Sequence, residues 1–255
     1  MSSQAIAISG DDSTAVMTLT RPHCLDIAGK HEILEAVKMQ SARTELRAVV
    51  LAAADPQAWL VNVAELAEMS PDEARAFSHA GHQLADALTQ LPVPVIAAVD
   101  SPALGGGCEL VLACDFAFGG PNARFGQIES LGGVLPAFGG TWRLARRVGF
   151  QRAMRMLCTA EILDAQAAKS AGLILDTVPS EELMSKAFDL AGQISKVSRQ
   201  SVAAIKRVVH AGTNLSPAAI SSLEEEAFAA LFGTDDQRNR MRAFVANQPG
   251  MRTGT

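Results

Sequence analysis

The sequence predicts an α/β fold that continues into a helical C-terminal region. Up to about residue 120, short apolar strands alternate with helical segments, an order typical of α/β proteins. The runs at residues 47–53 and 92–99 are almost continuously apolar, as expected for strands that are covered on both faces. Helical periodicity dominates the rest of the chain. We therefore expect a core domain at residues 1–195 and a helical region at residues 196–255.

The first elements follow from alternation, helical periodicity and turn residues. Residues 4–9 and 14–20 alternate around a Gly-Asp-Asp-Ser turn and predict a β-hairpin. Residues 30–40 place apolar side chains at helical spacing and predict a helix. Ser70 precedes a proline and lies three positions before Glu73, which is the pattern of a capping box, so a long helix is expected to begin there.

After residue 140 the pattern predicts a series of helices with one short strand. Residues 141–148 carry Arg143, Arg146 and Arg147 and predict a helix with a basic face, which suits phosphate groups and a subunit contact equally. Residues 173–178 predict the short strand. The other expected helices cover residues 151–158, 164–171, about 180–194 and 200–210.

Composition excludes several functional classes. The 255 residues include 48% apolar and 19% charged residues, so the chain has ample material for a core. A net charge of −5 argues against a nucleic-acid partner, although backbone N–H groups can still bind a local anion. No apolar run is long enough to span a bilayer, and the first twelve residues lack the pattern of a signal peptide. Four cysteines without a paired motif indicate buried thiols, so we expect a cytoplasmic protein without a membrane partner.

Three consecutive glycines, at 105–107, open a short apolar helical segment. They match neither nucleotide loop, because the Walker ending is absent and Leu110 stands where a dinucleotide fingerprint needs its third glycine. Two explanations stay about equally favoured: close packing of the helix against a strand, or helix N–H groups that bind an anion. His79 and His82 lie three positions apart without further ligands at metal spacing, so no metal site is expected.

Two glutamates lie in or close to this glycine-rich segment. Glu109 falls in the first turn of an otherwise apolar helix, and Glu129 follows 20 positions later. A buried carboxylate is costly unless it is paired or functional, and burial raises its pKa. Two such acids can divide the roles of general acid and general base between them. The alternative is that both are exposed or paired with arginine.

The motifs around these acids resemble a known family. The first is Pro94-Val-Ile-Ala-Ala-Val-Asp-Ser-Pro-Ala-Leu-Gly-Gly-Gly-Cys-Glu-Leu-Val-Leu-Ala-Cys-Asp115. Ala123-Arg-Phe-Gly-Gln127 and Gly139-Gly-Thr-Trp-Arg-Leu144 follow in register. With these motifs, residues 14 to 245 resemble the enoyl-CoA hydratase/isomerase family, also called the crotonase family. The resemblance implies a superhelix of ββα units, with C-terminal helices that assemble homotrimers or homohexamers.

The resemblance also implies how a substrate is bound. Family members bind an acyl-CoA thioester and stabilise its enolate with two backbone N–H groups, which match Gly106 and Val63 here. The residues that follow Val63, namely Ala64, Glu65 and Leu66, are expected to contribute to the same substrate-binding segment. Coenzyme A is then part of the substrate, and no separate cofactor is expected.

The two acids favour one activity within this family. Members that hydrate enoyl-CoA carry two glutamates, and both are present here as Glu109 and Glu129, whereas isomerase-like members usually keep only the second. The resemblance therefore implies an enoyl-CoA hydratase, in which Glu109 activates water and Glu129 exchanges the proton at the α-carbon.

Two segments depart from the family pattern. Residues 61–64 are Val-Asn-Val-Ala instead of the usual Ala-Gly-Ala/Gly-Asp, and Ile128 replaces a proline before the second glutamate. Asn62 can adopt the left-handed conformation that the glycine would use, and the two valines narrow the acyl site. Two alternatives stay open beside the hydratase: an isomerase or other lyase that uses the same enolate, and a paralogue that binds acyl-CoA without turnover.

Overall fold

The core is built from two sheets and the helices that cover them. The structure is a computed structural model, which describes residues 4–212 and 215–247. Its strands are β1 (Ile6–Gly10), β2 (Thr14–Leu19), β3 (Ala48–Ala53), β4 (Val95–Val99), β5 (Pro102–Leu104), β6 (Phe116–Gly119), β7 (Arg124–Gly126), β8 (Ile162–Asp164) and β9 (Asp176–Thr177). Its helices are α1 (Ile27–Ser41), α2 (Val63–Ala67), α3 (Pro71–Gln90), α4 (Gly106–Ala113), α5 (Gly140–Val148), α6 (Phe150–Thr159), α7 (Ala165–Ser170), α8 (Leu183–Ser195), α9 (Arg199–Gly212), α10 (Pro217–Phe232) and α11 (Asp235–Ala246).

The larger sheet has six strands in the order β1-β2-β3-β4-β6-β9. The expected hairpin is confirmed, because β1 pairs antiparallel with β2 and Gly10 lies opposite Ala15. The other neighbouring strands pair in parallel. All five residues of β4 are buried, which explains why this strand lacks a polar alternation. One apolar cluster packs on each face of the sheet, and the larger of the two includes α4.

A second, smaller sheet has the order β5-β7-β8. Its strands are only three residues long, and β5 pairs in parallel with β7 so that Leu104 lies opposite Gly126. The sequence pattern alone does not predict these strands. Their pairing nevertheless determines the site described below, because α4 begins directly after β5 and the second glutamate lies three residues beyond Gly126.

Most of the expected helices are confirmed, with small shifts at their ends. Helix α3 begins with the expected capping box, in which the Ser70 hydroxyl accepts from the backbone N–H of Glu73, and the Glu73 carboxylate accepts from the backbone N–H of Ser70. The strand expected at residues 173–178 is shorter than predicted, because only Asp176–Thr177 pairs with β6. The expectation of buried thiols holds for Cys24, Cys108 and Cys114, whereas Cys158 is exposed.

The basic face expected on α5 is wrong for two of its three arginines. Arg143 is buried and forms an ion pair of 2.7 Å with Asp86 of α3. Arg147 donates to the carbonyl oxygens of Leu112 and Cys114, at the C-terminal end of α4. These two guanidinium groups therefore tie α5 to neighbouring helices, where their cationic charge meets a carboxylate or the negative end of a helix dipole.

The chain divides into two compact units. The first comprises Met1–Ile194 and contains both sheets; the second comprises Ser195–Thr255. Within the second unit, α9, α10 and α11 carry exposed apolar side chains, among them Ile205, Phe228 and Phe244. Among the described residues, no helix combines the length and the apolar character needed to cross a bilayer.

Gly107 provides a test of how tightly α4 packs. A Cβ atom at this position would overlap the backbone carbonyl oxygen of Trp59, so Gly107→Ala forces the helix and the 58–60 segment apart. We expect the variant to lose about 1–3 kcal/mol in free energy of unfolding, measured by urea denaturation.

The matched control is Gly192→Ala in the interior of α8, where a Cβ atom would enter open space. This substitution removes the conformational entropy cost of a helical glycine, so a gain of up to about 1 kcal/mol is expected. Equal stability of the two variants would contradict the close approach of α4 to the Trp59 backbone.

Candidate active site

The site is organised by the first turn of α4, which places a helix start against a carboxylate. Gly105 caps the helix with φ +54°, a conformation that favours glycine, and its N–H donates to the carbonyl oxygen of Gly126. A Cβ atom at Gly105 would lie 2.9 Å from Oε1 of Glu129. The Glu129 carboxylate therefore lies directly against the start of the helix that carries Glu109.

Glu109 is held by the backbone of the loop that leads into α5. Its side chain is 1% exposed, and Oε1 accepts from the N–H groups of Phe138 at 2.6 Å and Gly140 at 2.7 Å. Oε2 accepts from Ala137 at the longer distance of 3.3 Å. Burial raises the pKa of Glu109, while these three N–H groups lower it. The alternative that an arginine pairs with Glu109 is therefore wrong, because backbone N–H groups satisfy this carboxylate.

Glu129 begins a short 3-10 helix at Glu129–Gly132, outside α4. The amide of the buried Gln127 is assigned with its nitrogen towards the Glu129 carboxylate, 3.2 Å from each carboxylate oxygen. In the opposite orientation the amide oxygen of Gln127 would meet only other acceptors. Burial, and after it the negative charge of Glu109, raises the pKa of Glu129 to about 7. Glu129 therefore keeps a proton near neutral pH far more readily than an exposed glutamate.

Residues 61–64, which differ from the usual family pattern, lie beside the start of α4. Val61 approaches it closely, because its Cγ1 would lie 3.1 Å from a Cβ atom at Gly106. Val63 is the first residue of α2, with a side chain that is 66% exposed. Asn62, the cap of α2, is extended at φ −78°, so the expected left-handed conformation is wrong. First-turn N–H groups such as those of Val63 and Gly106 have no intrahelical acceptor.

The structure brings some of the expected site residues together but not others. Glu109, Glu129 and Gly106 converge at the start of α4. Within the described parts of the chain, no hydrogen bond or ion pair joins the side chains of Ala64, Glu65 or Leu66 to either carboxylate. Ala64 and Glu65 are exposed on α2, and Leu66 is half-buried.

Three residues of the site were missed by the sequence analysis. Gln127 binds Glu129, Phe138 donates to Glu109, and Lys30 lies against the ring of Phe138. The glycine pairs at 132–133 and 139–140 are typical of a loop, but nothing in the sequence pattern shows that the N–H groups of this loop point at a carboxylate. Lys30 shares a helical stripe with apolar residues, and this position is the sequence feature that could have indicated its burial.

This arrangement is suited to proton transfer beside an anion. Two carboxylates of raised pKa lie at a helix start, where N–H groups and the helix dipole favour negative charge. One carboxylate is stabilised in its ionised form by N–H donors, and the other retains its proton up to about pH 7. In residues 4–212 and 215–247, no cluster of three or more His, Cys, Asp or Glu side chains is placed to hold a metal ion.

Fold and site together define a class: an acid–base enzyme site at the glycine-rich helix start of a crotonase-like fold. The profile of the enoyl-CoA hydratase/isomerase family matches residues 9–250. The chain is 34% identical to the short-chain-enoyl-CoA hydratase of Clostridium acetobutylicum over 94% of both chains, and 32% identical to the crotonyl-CoA hydratase of Syntrophomonas wolfei over 96% of both. The enoyl-CoA hydratase structure from Bacillus anthracis superposes with a TM-score of 0.89 at 28% identity, covering 96% of this chain and 97% of that one. The chain belongs to the enoyl-CoA hydratase/isomerase family, and the expected fold is confirmed.

The raised pKa of Glu129 makes stability depend on pH. In the folded protein its pKa is about 7, against 4.5 for an ordinary glutamate, so the folded state binds the proton more tightly. The free energy of unfolding contributed by this group is therefore fully present below about pH 4.5 and is lost as the pH rises through about 7. Glu129→Gln cannot ionise. We expect it to match the wild type near pH 4 and to be more stable by on the order of 1 kcal/mol at pH 8.

Urea unfolding of the wild type and Glu129→Gln across this pH range measures the difference directly. Titrating groups remote from Glu129 are common to both proteins and cancel, so the difference reports Glu129 together with its coupling to Glu109. A difference that stays constant with pH would contradict the raised pKa of Glu129.

Proposed function

We propose that this protein is an enoyl-CoA hydratase, which adds water across the 2,3 double bond of an enoyl-CoA thioester. The observation that carries the proposal is the pair of acids in different settings at one helix start: Glu109 bound by three backbone N–H groups, and Glu129 with a pKa near 7. Two relatives that match nearly the whole chain are hydratases of short-chain enoyl-CoA and crotonyl-CoA.

The thioester oxygen is bound by backbone N–H groups in this proposal. The first-turn amides of Gly106 and Val63 lie at the N-termini of α4 and α2, where intrahelical acceptors are lacking and the dipoles favour negative charge. Polarising the carbonyl makes the β-carbon electrophilic and stabilises the enolate that forms when water attacks it.

The two acids then complete the addition. Ionised Glu109 accepts a proton from water as the water oxygen bonds to the β-carbon; Oε2, which has the weaker backbone hydrogen bond, is the freer acceptor. Protonated Glu129 delivers its proton to the α-carbon, and the enolate returns to a thioester. Proton exchange with solvent restores both acids. The resulting product is a 3-hydroxyacyl-CoA.

In this proposal the acyl group lies beside Gly106, where neighbouring side chains leave little space. Val61 Cγ1 and the ring of Phe138 both approach Gly106, since a Cβ atom there would lie 3.1 Å from the former and 2.6 Å from Cε2 of the latter. This supports short acyl chains as substrates. Coenzyme A belongs to the substrate, and the proposed chemistry needs no separate cofactor.

We further propose an oligomeric state and a cellular location for the enzyme. A homotrimer or homohexamer is supported by the exposed apolar side chains of the C-terminal helices, which in a monomer would face water: Ile205, Val209, Phe228, Phe232, Met241 and Phe244. A cytoplasmic location is supported by cysteines that lack the density of a disulfide framework. The proposed core and helical regions remain residues 1–195 and 196–255.

A second candidate function is acyl-CoA binding with little turnover. The observation in its favour is the segment 61–64, whose side chains differ from the usual family pattern at the proposed oxyanion site. Calorimetry that shows acyl-CoA binding, with no turnover across a series of chain lengths, would favour this candidate over the hydratase.

Both acids are testable by isosteric amides. Glu109→Gln and Glu129→Gln should each lower the kcat for crotonyl-CoA hydration by about 10²-fold or more, because each removes one proton-transfer group. Glu181→Gln, at an exposed position in another 3-10 helix, is the matched control and should retain activity. Unchanged rates in both active-site variants would contradict the proposed mechanism.

The type of reaction is decided by the fate of solvent oxygen in the same assay. In water enriched in the heavy oxygen isotope, hydration places the label in the hydroxyl group at the β-carbon. An isomerase shifts the double bond and leaves the product without label.

The proposed donor at Val63 can be removed without changing a side-chain hydrogen bond. Val63 is the first residue of α2 and follows an extended residue, so proline fits this position while its N–H group is lost. We expect Val63→Pro to fold and to lower kcat by about 10²-fold. Val63→Ala keeps the N–H group and separates the loss of the side chain from the loss of the donor. Equal kcat for the two variants would show that this amide does not bind the substrate oxygen.

A further inference from the structure

Lys30 carries a buried amine that has no part in the proposed reaction. It lies in the first turn of α1 and is 0% exposed. Lysine is almost never buried to this extent unless a partner compensates its charge. An apolar residue at this position of α1 would fill the core without the desolvation free energy that a buried amine costs. A role for the amine itself would explain why lysine stands here.

The contacts of the Lys30 nitrogen point towards the active site. Nζ donates to the carbonyl oxygen of Phe77 at 3.1 Å and lies 2.8 Å from the centroid of the Phe77 ring. It also lies 4.1 Å from the centroid of the Phe138 ring. The two rings are tilted against each other with centroids 5.4 Å apart, so the amine is held between two aromatic faces.

Phe138 links this amine to the proposed base, Glu109, and to the proposed oxyanion donor, Gly106. Its backbone N–H gives the shortest hydrogen bond to Glu109, 2.6 Å to Oε1. Its ring packs against Gly106, one of the two proposed oxyanion donors. A shift of this ring would therefore disturb the carboxylate and the helix start together.

Charge couples Lys30 to the same acid. Burial lowers the pKa of Lys30 to about 6, and the carboxylates that oppose this change are Glu109 of α4, then Asp26 at the start of α1 and Glu65 of α2. The face towards α3 presents the ring and carbonyl of Phe77, which are uncharged. When protonated, Lys30 favours the ionised form of Glu109.

We propose that Lys30 is a positioning residue of the acid–base site: it fixes Phe138 through the ring face and thereby holds Glu109 in the geometry of a base. This inference rests on the proposed hydratase function. Lys30 touches no reacting atom in this arrangement and acts through Phe138. A residue that merely fills the core would affect stability and leave the titration of Glu109 unchanged.

The test replaces the amine with an apolar group of similar length. In Lys30→Met, kcat for crotonyl-CoA should fall about tenfold because Glu109 is no longer held in place, while KM stays close to that of the wild type. The acid limb of the pH profile should move to higher pH, because Glu109 loses a nearby cation and part of its N–H support. The matched control is Lys38→Met on the same helix, where the lysine is exposed and paired with Glu35; it should behave as the wild type.

Phe138→Leu gives an independent test, because it keeps the backbone N–H but removes the ring. It should also lower kcat, and the double variant with Lys30→Met should be no worse than the more impaired single variant. Wild-type kcat and pH profile in Lys30→Met, or additive effects in the double variant, would overturn the proposal. If Lys30→Met does not fold, an unimpaired Phe138→Leu overturns it alone.

Carbon-13 NMR of the glutamate carboxyl groups separates this proposal from the function on which it rests. The signals of Glu109 and Glu129 titrate whether or not the enzyme turns over crotonyl-CoA. A wild type without hydratase activity would refute the proposed function, and the titration would still measure the effect of Lys30. Glutamate titrations that are the same in the wild type and Lys30→Met would refute the role of Lys30 alone.

Discussion

The rest of the site depends on how one carboxylate is kept inside an apolar helix. Glu109 is surrounded by Cys108, Leu110 and other buried residues of α4, where an uncompensated charge is very costly. The compensation comes from the backbone of residues 137–140, which donates three N–H groups to the two oxygens. Backbone donors hold their direction without side-chain freedom, so they stabilise the anion at little cost in entropy.

That single requirement explains the architecture around it. The segment 137–140 directs the N–H groups of Ala137, Phe138 and Gly140 at the Glu109 carboxylate. The helix that follows, α5, is held by the ion pair of Arg143 with Asp86 and by the hydrogen bonds of Arg147 to the end of α4. The short pairing of β5 with β7 then brings Glu129 to the other side of the same helix start. Burial raises the pKa of both acids, but their partners differ: three backbone N–H groups oppose the rise at Glu109, whereas the negative charge of Glu109 adds to the rise at Glu129.

The sequence predicted what depends on local pattern. The capping box at Ser70 and the buried strands follow from spacing and composition, and they are confirmed in the structure. The two glutamates that the sequence singles out lie at one helix start, and their catalytic roles stay a prediction. The three-residue strands β5, β7 and β8 were not predictable, because their stability comes from tertiary pairing and not from their own propensity. For the same reason the arginines of α5 looked like a basic face: periodicity shows that side chains share a side of a helix, and not whether a neighbouring helix covers it.

The segment 61–64 shows why a changed motif does not by itself imply a lost site. An N–H donor is a property of the backbone, so the side chains at 61–64 can change while the first turn of α2 still begins at Val63. In this chain Val61 stands beside Gly106, and Asn62 is extended and not left-handed. In the proposed function, the side chains of this segment limit which acyl groups fit, and the two oxyanion donors are the backbone N–H groups where α2 and α4 begin.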